Sequence, residues 1–64
     1  MNRTSAKIAA RIIDTAAKAT TEMDLSMVHW TYTATKNVMT ASDAMQAISA
    51  IEAAGRRVRR ANRA

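Results

Sequence analysis

Residues 28–35 read VHWTYTAT. The stretch alternates strictly, with Val28, Trp30, Tyr32 and Ala34 against His29, Thr31, Thr33 and Thr35, and its β-branched and aromatic content suits a strand. A helical wheel at about 100° per residue sorts the same segment differently. Ser26, His29, Thr33, Lys36, Asn37 and Thr40 then share one polar arc, and Met27, Val28, Trp30, Tyr32, Ala34, Val38 and Met39 fill the rest. The alternation stops at Thr35, whereas the helical arc runs from 25 to 41. A lone strand would also need a second chain to pair with. Helix is the preferred assignment; α-β-α with an intermolecular strand pair at 28–35 is the alternative.

On the N-terminal side, Ile8, Ala9, Ile12, Ile13, Ala16, Ala19 and Met23 share one face of a helix. Lys7, Arg11, Asp14, Lys18, Thr21 and Glu22 share the other. Thr4 or Ser5 can cap its start, and Asp14 and Lys18 form an i,i+4 pair. Leu25 breaks the register, so the first helix is expected over about 5–23, with Asp24 capping a second over about 25–40. On the C-terminal side, Thr40-x-x-Asp43 fits the capping-box spacing. Ala44, Ala47, Ile48, Ile51, Ala54 and Val58 make a stripe out of phase with the preceding segment, which predicts a third helix over about 42–62. The expectation is an all-α single domain of three short helices.

Bulk composition limits what such a chain can do. Of 64 residues 48% are hydrophobic, but 15 of those are alanine, which removes little surface from water. The usual remedies for a core this thin are staples or self-association. There is no cysteine, so disulfides and thiolate metal sites are excluded. A homo-oligomer is expected, sealed by alanine-rich faces and Trp30. Met27, Trp30, Tyr32, Ile48 and Ile51 are the candidate oligomer or partner interface, because Trp and Tyr are enriched at interface hot spots. Met23, Met27, Met39 and Met45 fall on or beside apolar stripes and are expected to fill the core.

The charge is localised. Residues 1–55 sum to zero, and Arg56, Arg57, Arg59, Arg60 and Arg63 carry the entire net +5. Gly55 precedes them and could end the helix or lie within it. Continued past Gly55, the wheel returns Val58 to the apolar stripe and gathers Arg56, Arg59, Arg60 and Arg63 opposite, with Arg57 to the side. A disordered tail has no reason to keep that register, so a continuous helix bearing an arginine ridge is predicted.

Guanidinium forks suit phosphate and carboxylate. The ridge therefore points to a DNA or RNA backbone bound without base specificity. The alternative is an acidic protein surface docked by a small interaction module, such as a phage-encoded inhibitor or virion component. Five phosphate contacts would give a salt slope of roughly −4.5. A lone His29 offers neither a metal cage nor a catalytic constellation, so no enzyme activity, cofactor or small-molecule substrate is expected. No apolar run is long enough to span a membrane. The N-terminus resembles a transit peptide in being amphipathic, hydroxyl-rich and acid-poor, but Asp14 and the helix packing argue against that reading, and the expected location is the cytoplasm, or the host cytoplasm or virion for a phage protein.

Overall fold

The computed structural model describes residues 3–62, and within them the chain forms three α-helices and no strand. They are α1 (Arg3–Lys18), α2 (Glu22–Thr35) and α3 (Ala41–Asn62). Short connections fold them into an up-down-up bundle in which α1 and α3 run parallel. The two contact each other through Ser5 with Thr40 and Asp43 at one end, and through Arg57 with Ala16 and Ala19 at the other.

The stretch 28–35 is helical throughout, and the strand alternative is overturned. Leu25 and Val28 are buried, and Tyr32 packs half-buried against the same core. That i, i+3, i+7 spacing gives the segment an intramolecular partner, which the strand lacked. The threonines accommodate the helix by bonding backwards. The hydroxyls of Thr31, Thr33 and Thr35 donate to the carbonyls of Met27, His29 and Thr31 at 3.0, 3.0 and 2.7 Å. Such back-bonding satisfies the hydroxyl but competes with the backbone ladder, and α2 ends at Thr35 rather than near residue 40. A tighter turn follows, with the Val38 N–H bonded to the Thr35 carbonyl at 2.9 Å, and Met39 turns into the core.

The first helix also ends early, at Lys18 rather than Met23. Capping chemistry overrides the apolar register here. Thr21 caps α2, its hydroxyl accepting from the Asp24 N–H at 3.1 Å while Asp24 accepts from the Thr21 N–H at 3.2 Å. This reciprocal arrangement satisfies two of the otherwise free amides at the helix start. Asp24 is thus the third residue of the helix, not its cap. Its carboxylate also takes the Thr20 N–H at 3.0 Å. That bond is the main reason its pKa lies below the ordinary carboxylate value; desolvation opposes it, and Thr21 and the Thr20 hydroxyl add to the lowering.

The start of α3 is capped similarly, with one insertion. The Asp43 N–H donates to the Thr40 hydroxyl at 3.2 Å, but the Thr40 N–H donates to Ser5 Oγ at 2.8 Å instead of to Asp43. Ser5 Oγ in turn donates to Asp43 Oδ2 at 2.5 Å. Ser5 therefore does not cap α1. It is fully buried inside that helix and bridges the cap of another.

The core is built of Ala9, Ile12, Ala16, Ala19, Leu25, Val28, Met39, Ala47, Ile51, Ala54 and Val58. The alanine faces of α1 and α3 are spent on each other within one chain, which lets the two helices approach closely. Of the four methionines expected inside, only Met39 is buried; Met23, Met27 and Met45 are 74%, 65% and 69% exposed. For Met23 and Met27 the reason is that α2 is apolar on two opposite sides, so its stripe alone does not say which arc faces inward; Met45 lies on α3, well round that helix from the buried line of Ala47, Ile51, Ala54 and Val58. The expected Asp14–Lys18 pair is present at 3.1 Å, on an exposed face where such pairs contribute about 0.3–0.5 kcal/mol.

Candidate functional site

The helix runs through Gly55 to Asn62, as the register of Val58 implied. No described glycine has positive φ, so Gly55 is an ordinary helical position with no side chain. A Cβ there would meet only the Arg59 guanidinium, at 3.9 and 4.0 Å, which is normal contact. Gly55→Ala is accordingly expected to stabilise the chain by about 0.5–1 kcal/mol. That amounts to a rise in Tm of roughly 2–8 °C for a domain of this size, readable by circular dichroism. A lower Tm would contradict a continuous α3.

Because α1 and α3 start flush and differ in length, 16 residues against 22, the excess of about 9 Å accumulates at the C-terminal end. Val58 is buried beneath this end, and Arg56, Arg57, Arg59 and Arg60 are all exposed there. Arg63 lies outside the described residues.

Arg57 differs from the others. Its Nη2 donates to the carbonyls of Ala16, Ala17 and Ala19 at 3.0, 3.3 and 2.8 Å. The last carbonyls of a helix have no partner in their own ladder, and here α3 supplies one, together with a positive charge at the negative end of the α1 dipole. Arg57 therefore closes α1 and ties the α1–α2 turn to α3. It is a fold-holding residue as well as a member of the cationic end.

Arg56, Arg59 and Arg60 have no carboxylate partner among the described residues, where the one ion pair is Lys18 with Asp14. Arg56 and Arg60 stand one turn apart on the side of α3 facing away from the bundle, and Arg59 folds back toward Gly55. Sequence phase had set Arg57 aside from this ridge. What it could not give was the target of Arg57, which comes from another helix.

The proposed interface residues are divided by the fold. Ile51 is buried at 7% exposure, and Tyr32 and Ile48 are half-buried against the core. Met27 and Trp30 stand in solvent at 65% and 74%. His29 is exposed, its ring 6.4 Å from that of Tyr32 and tilted by 58°. Among the described residues no group of three or more His, Cys, Asp or Glu side chains comes together, and no helix is long and apolar enough to cross a membrane. Comparison with protein-family models, with curated proteins and with solved structures gave no match.

Proposed function

We propose that the protein binds the phosphate backbone of nucleic acid, without base selection, through Arg56, Arg59 and Arg60 on the overhanging end of α3. The observation that supports this is the set of guanidinium groups left without carboxylates on the exposed end of an ordered helix. The negative pole of α3 opposes an anion there with about half an elementary charge. Three guanidinium groups outweigh it, and Arg57 already offsets the adjacent pole of α1. Phosphate contacts of this kind position a protein on a strand but carry no sequence information.

The reading is tested by titrating labelled duplex DNA and single-stranded RNA at 50 and 200 mM salt. Three phosphate contacts on duplex DNA give a slope of about −2.7, a loss of roughly 40-fold over that interval, and a contact from Arg63 would steepen it toward about −3.6. The combined variant Arg56→Ala/Arg59→Ala/Arg60→Ala is expected to bind below detection with its helicity intact, since all three side chains are exposed. Absence of wild-type binding at 50 mM would overturn the proposal. The same unpaired guanidinium groups fit a carboxylate-rich protein surface. Specific retention of an acidic protein, without nucleic-acid binding, would put that reading in its place.

A further inference from the structure

A groove runs along the seam between α1 and α2, and no residue of α3 lines it. Buried Ile12 and Val28 form its floor. Lys7, Ile8 and Arg11 make the wall on α1, and Met27, Thr31 and Thr35 the wall on α2. Past Met27 the groove continues to Lys18 and Asp24, so it follows three turns of α1, about 16 Å. Its two ends differ in charge. Near the α1–α2 turn, Lys18 is held by Asp14, and Asp24 is taken up by the amides of Thr20 and Thr21. At the far end Lys7 and Arg11 stand one turn apart, both exposed, with no carboxylate partner among the described residues. Across from them are Thr31 and Thr35, neutral, whose hydroxyls donate into their own helix.

We propose that this groove docks an amphipathic helix of another protein, one that carries two acidic residues a turn apart beside its apolar face. The apolar face meets Ile8, Met27 and the aliphatic stems of Lys7 and Arg11, and the two acids meet the charged heads of that pair. Folded domains commonly take up peptides as an added strand, as a polyproline segment in an aromatic-lined cleft, or as a helix in a groove. There is no sheet edge among the described residues, and no aromatic side chain lines this groove. A helix of about three turns matches its length, and a fourth helix laid over a helix pair is ordinary bundle packing. Rim charges of this kind select the sign of the partner and speed encounter more than they add affinity.

A second copy of the chain does not supply such a helix. Of the five acids, Asp14 is paired with Lys18, Asp24 is bound in the cap of α2, and Asp43 accepts from Ser5 at the start of α3. Glu22 and Glu52 remain, and they lie on different helices. No helix of this protein therefore offers two free acids a turn apart to match Lys7 and Arg11.

The test is selection from a displayed library of helical peptides of about 16 residues, long enough to overhang the groove at both ends, with no charge pattern imposed. The target is the full chain carrying Arg56→Ala/Arg59→Ala/Arg60→Ala, so that the arginine end cannot capture acidic peptides. The selected peptides are expected to share an apolar i, i+3, i+7 face with two Asp or Glu a turn apart. Adding one of them should shift the amide signals of residues 7–15 and 27–35 and leave those of the last turns of α3 in place. Lys7→Glu/Arg11→Glu, at two exposed positions, is expected to weaken binding about tenfold or more with helicity unchanged, and exchanging the peptide's two acids for lysines to restore it. A selection that yields no binder, binders without the acid pair, or shifts confined to other surfaces overturns the proposal. So does a charge reversal without effect, or one that the exchanged peptide fails to rescue. Loss of the nucleic-acid reading leaves all of these outcomes unchanged, because the arginines it rests on are absent from the target.

Discussion

Ile12→Ala is expected to cost about 2–5 kcal/mol, as deletion of a buried isoleucine does when the surroundings relax only in part. Ile12 is 2% exposed, and with Val58 it is one of the largest side chains enclosed by the bundle. Most of the remaining core positions on α1 and α3 are alanines, whose side chains cannot extend to fill a void. A chain of this length has a total stability of about 3–10 kcal/mol on the usual per-residue scale. The substitution therefore removes roughly a fifth of it at the least and most of it at the upper end, and leaves much of the population unfolded in mild denaturant. Urea titration followed by circular dichroism reads the change, and Ile13→Ala is the control. Ile13 is only half-buried, so its truncation is expected to cost well under half as much. Equal costs at the two positions would mean that α1 faces the bundle with a different arc.

Ser5→Ala comes second in size, at about 2–3 kcal/mol. The hydroxyl is fully buried and does two things: it accepts the Thr40 N–H and donates to Asp43. Its removal strands a backbone donor and a carboxylate oxygen in a part-buried place, and each orphan costs about 1–3 kcal/mol. The gain in helix propensity from serine to alanine, about 0.5 kcal/mol, offsets only part of this. The decisive measurement is a double-mutant cycle with Asp43→Ala. Residues in one hydrogen-bonded network couple by about 0.5–3 kcal/mol, so the double variant should be less destabilised than the sum of the singles. Strict additivity would show that the three-residue network does not hold the ends of α1 and α3 together.

These two residues also mark how far the sequence was legible. Ile12 could be placed inside from periodicity alone, because α1 and α3 each have one apolar face and one polar face. The same periodicity carried α3 through Gly55 and kept Val58 in register. Ser5 looked like a helix cap because a hydroxyl near a helix start usually is one; it also bonds Thr40 and Asp43, 35 and 38 residues away, and no local pattern encodes those two contacts. The boundary between α1 and α2 was misplaced for a different reason. Thr21-x-x-Asp24 has the same spacing as Thr40-x-x-Asp43, so the cap was present in the sequence. Ala19 and Met23 nevertheless continued the α1 stripe, and the stripe was followed past the cap. Ala19 is buried but lies beyond the helix, and Met23 faces solvent.

At the candidate site, the ridge of Arg56, Arg59 and Arg60 was readable, since it needs only one continuous helix. The role of Arg57 was not, because its acceptors are carbonyls at the end of α1 and every residue has a carbonyl. In α2, apolar residues cover two opposite arcs. The chain alone therefore could not say that Leu25 and Val28 go inward while Met27 and Trp30 stay out.

The unequal lengths of α1 and α3 make the last turns of α3 a short cantilever, with Val58 and Arg57 as its root. A free basic tail must surrender its chain freedom when it grips a ligand, whereas a rooted beam has already done so. Cations on such a beam keep a fixed pitch: Arg56 and Arg60 stay one helical turn apart before anything arrives. Loosening the root by changing Arg57 would then let the free end swing, blurring that pitch without removing a single charge from the tip.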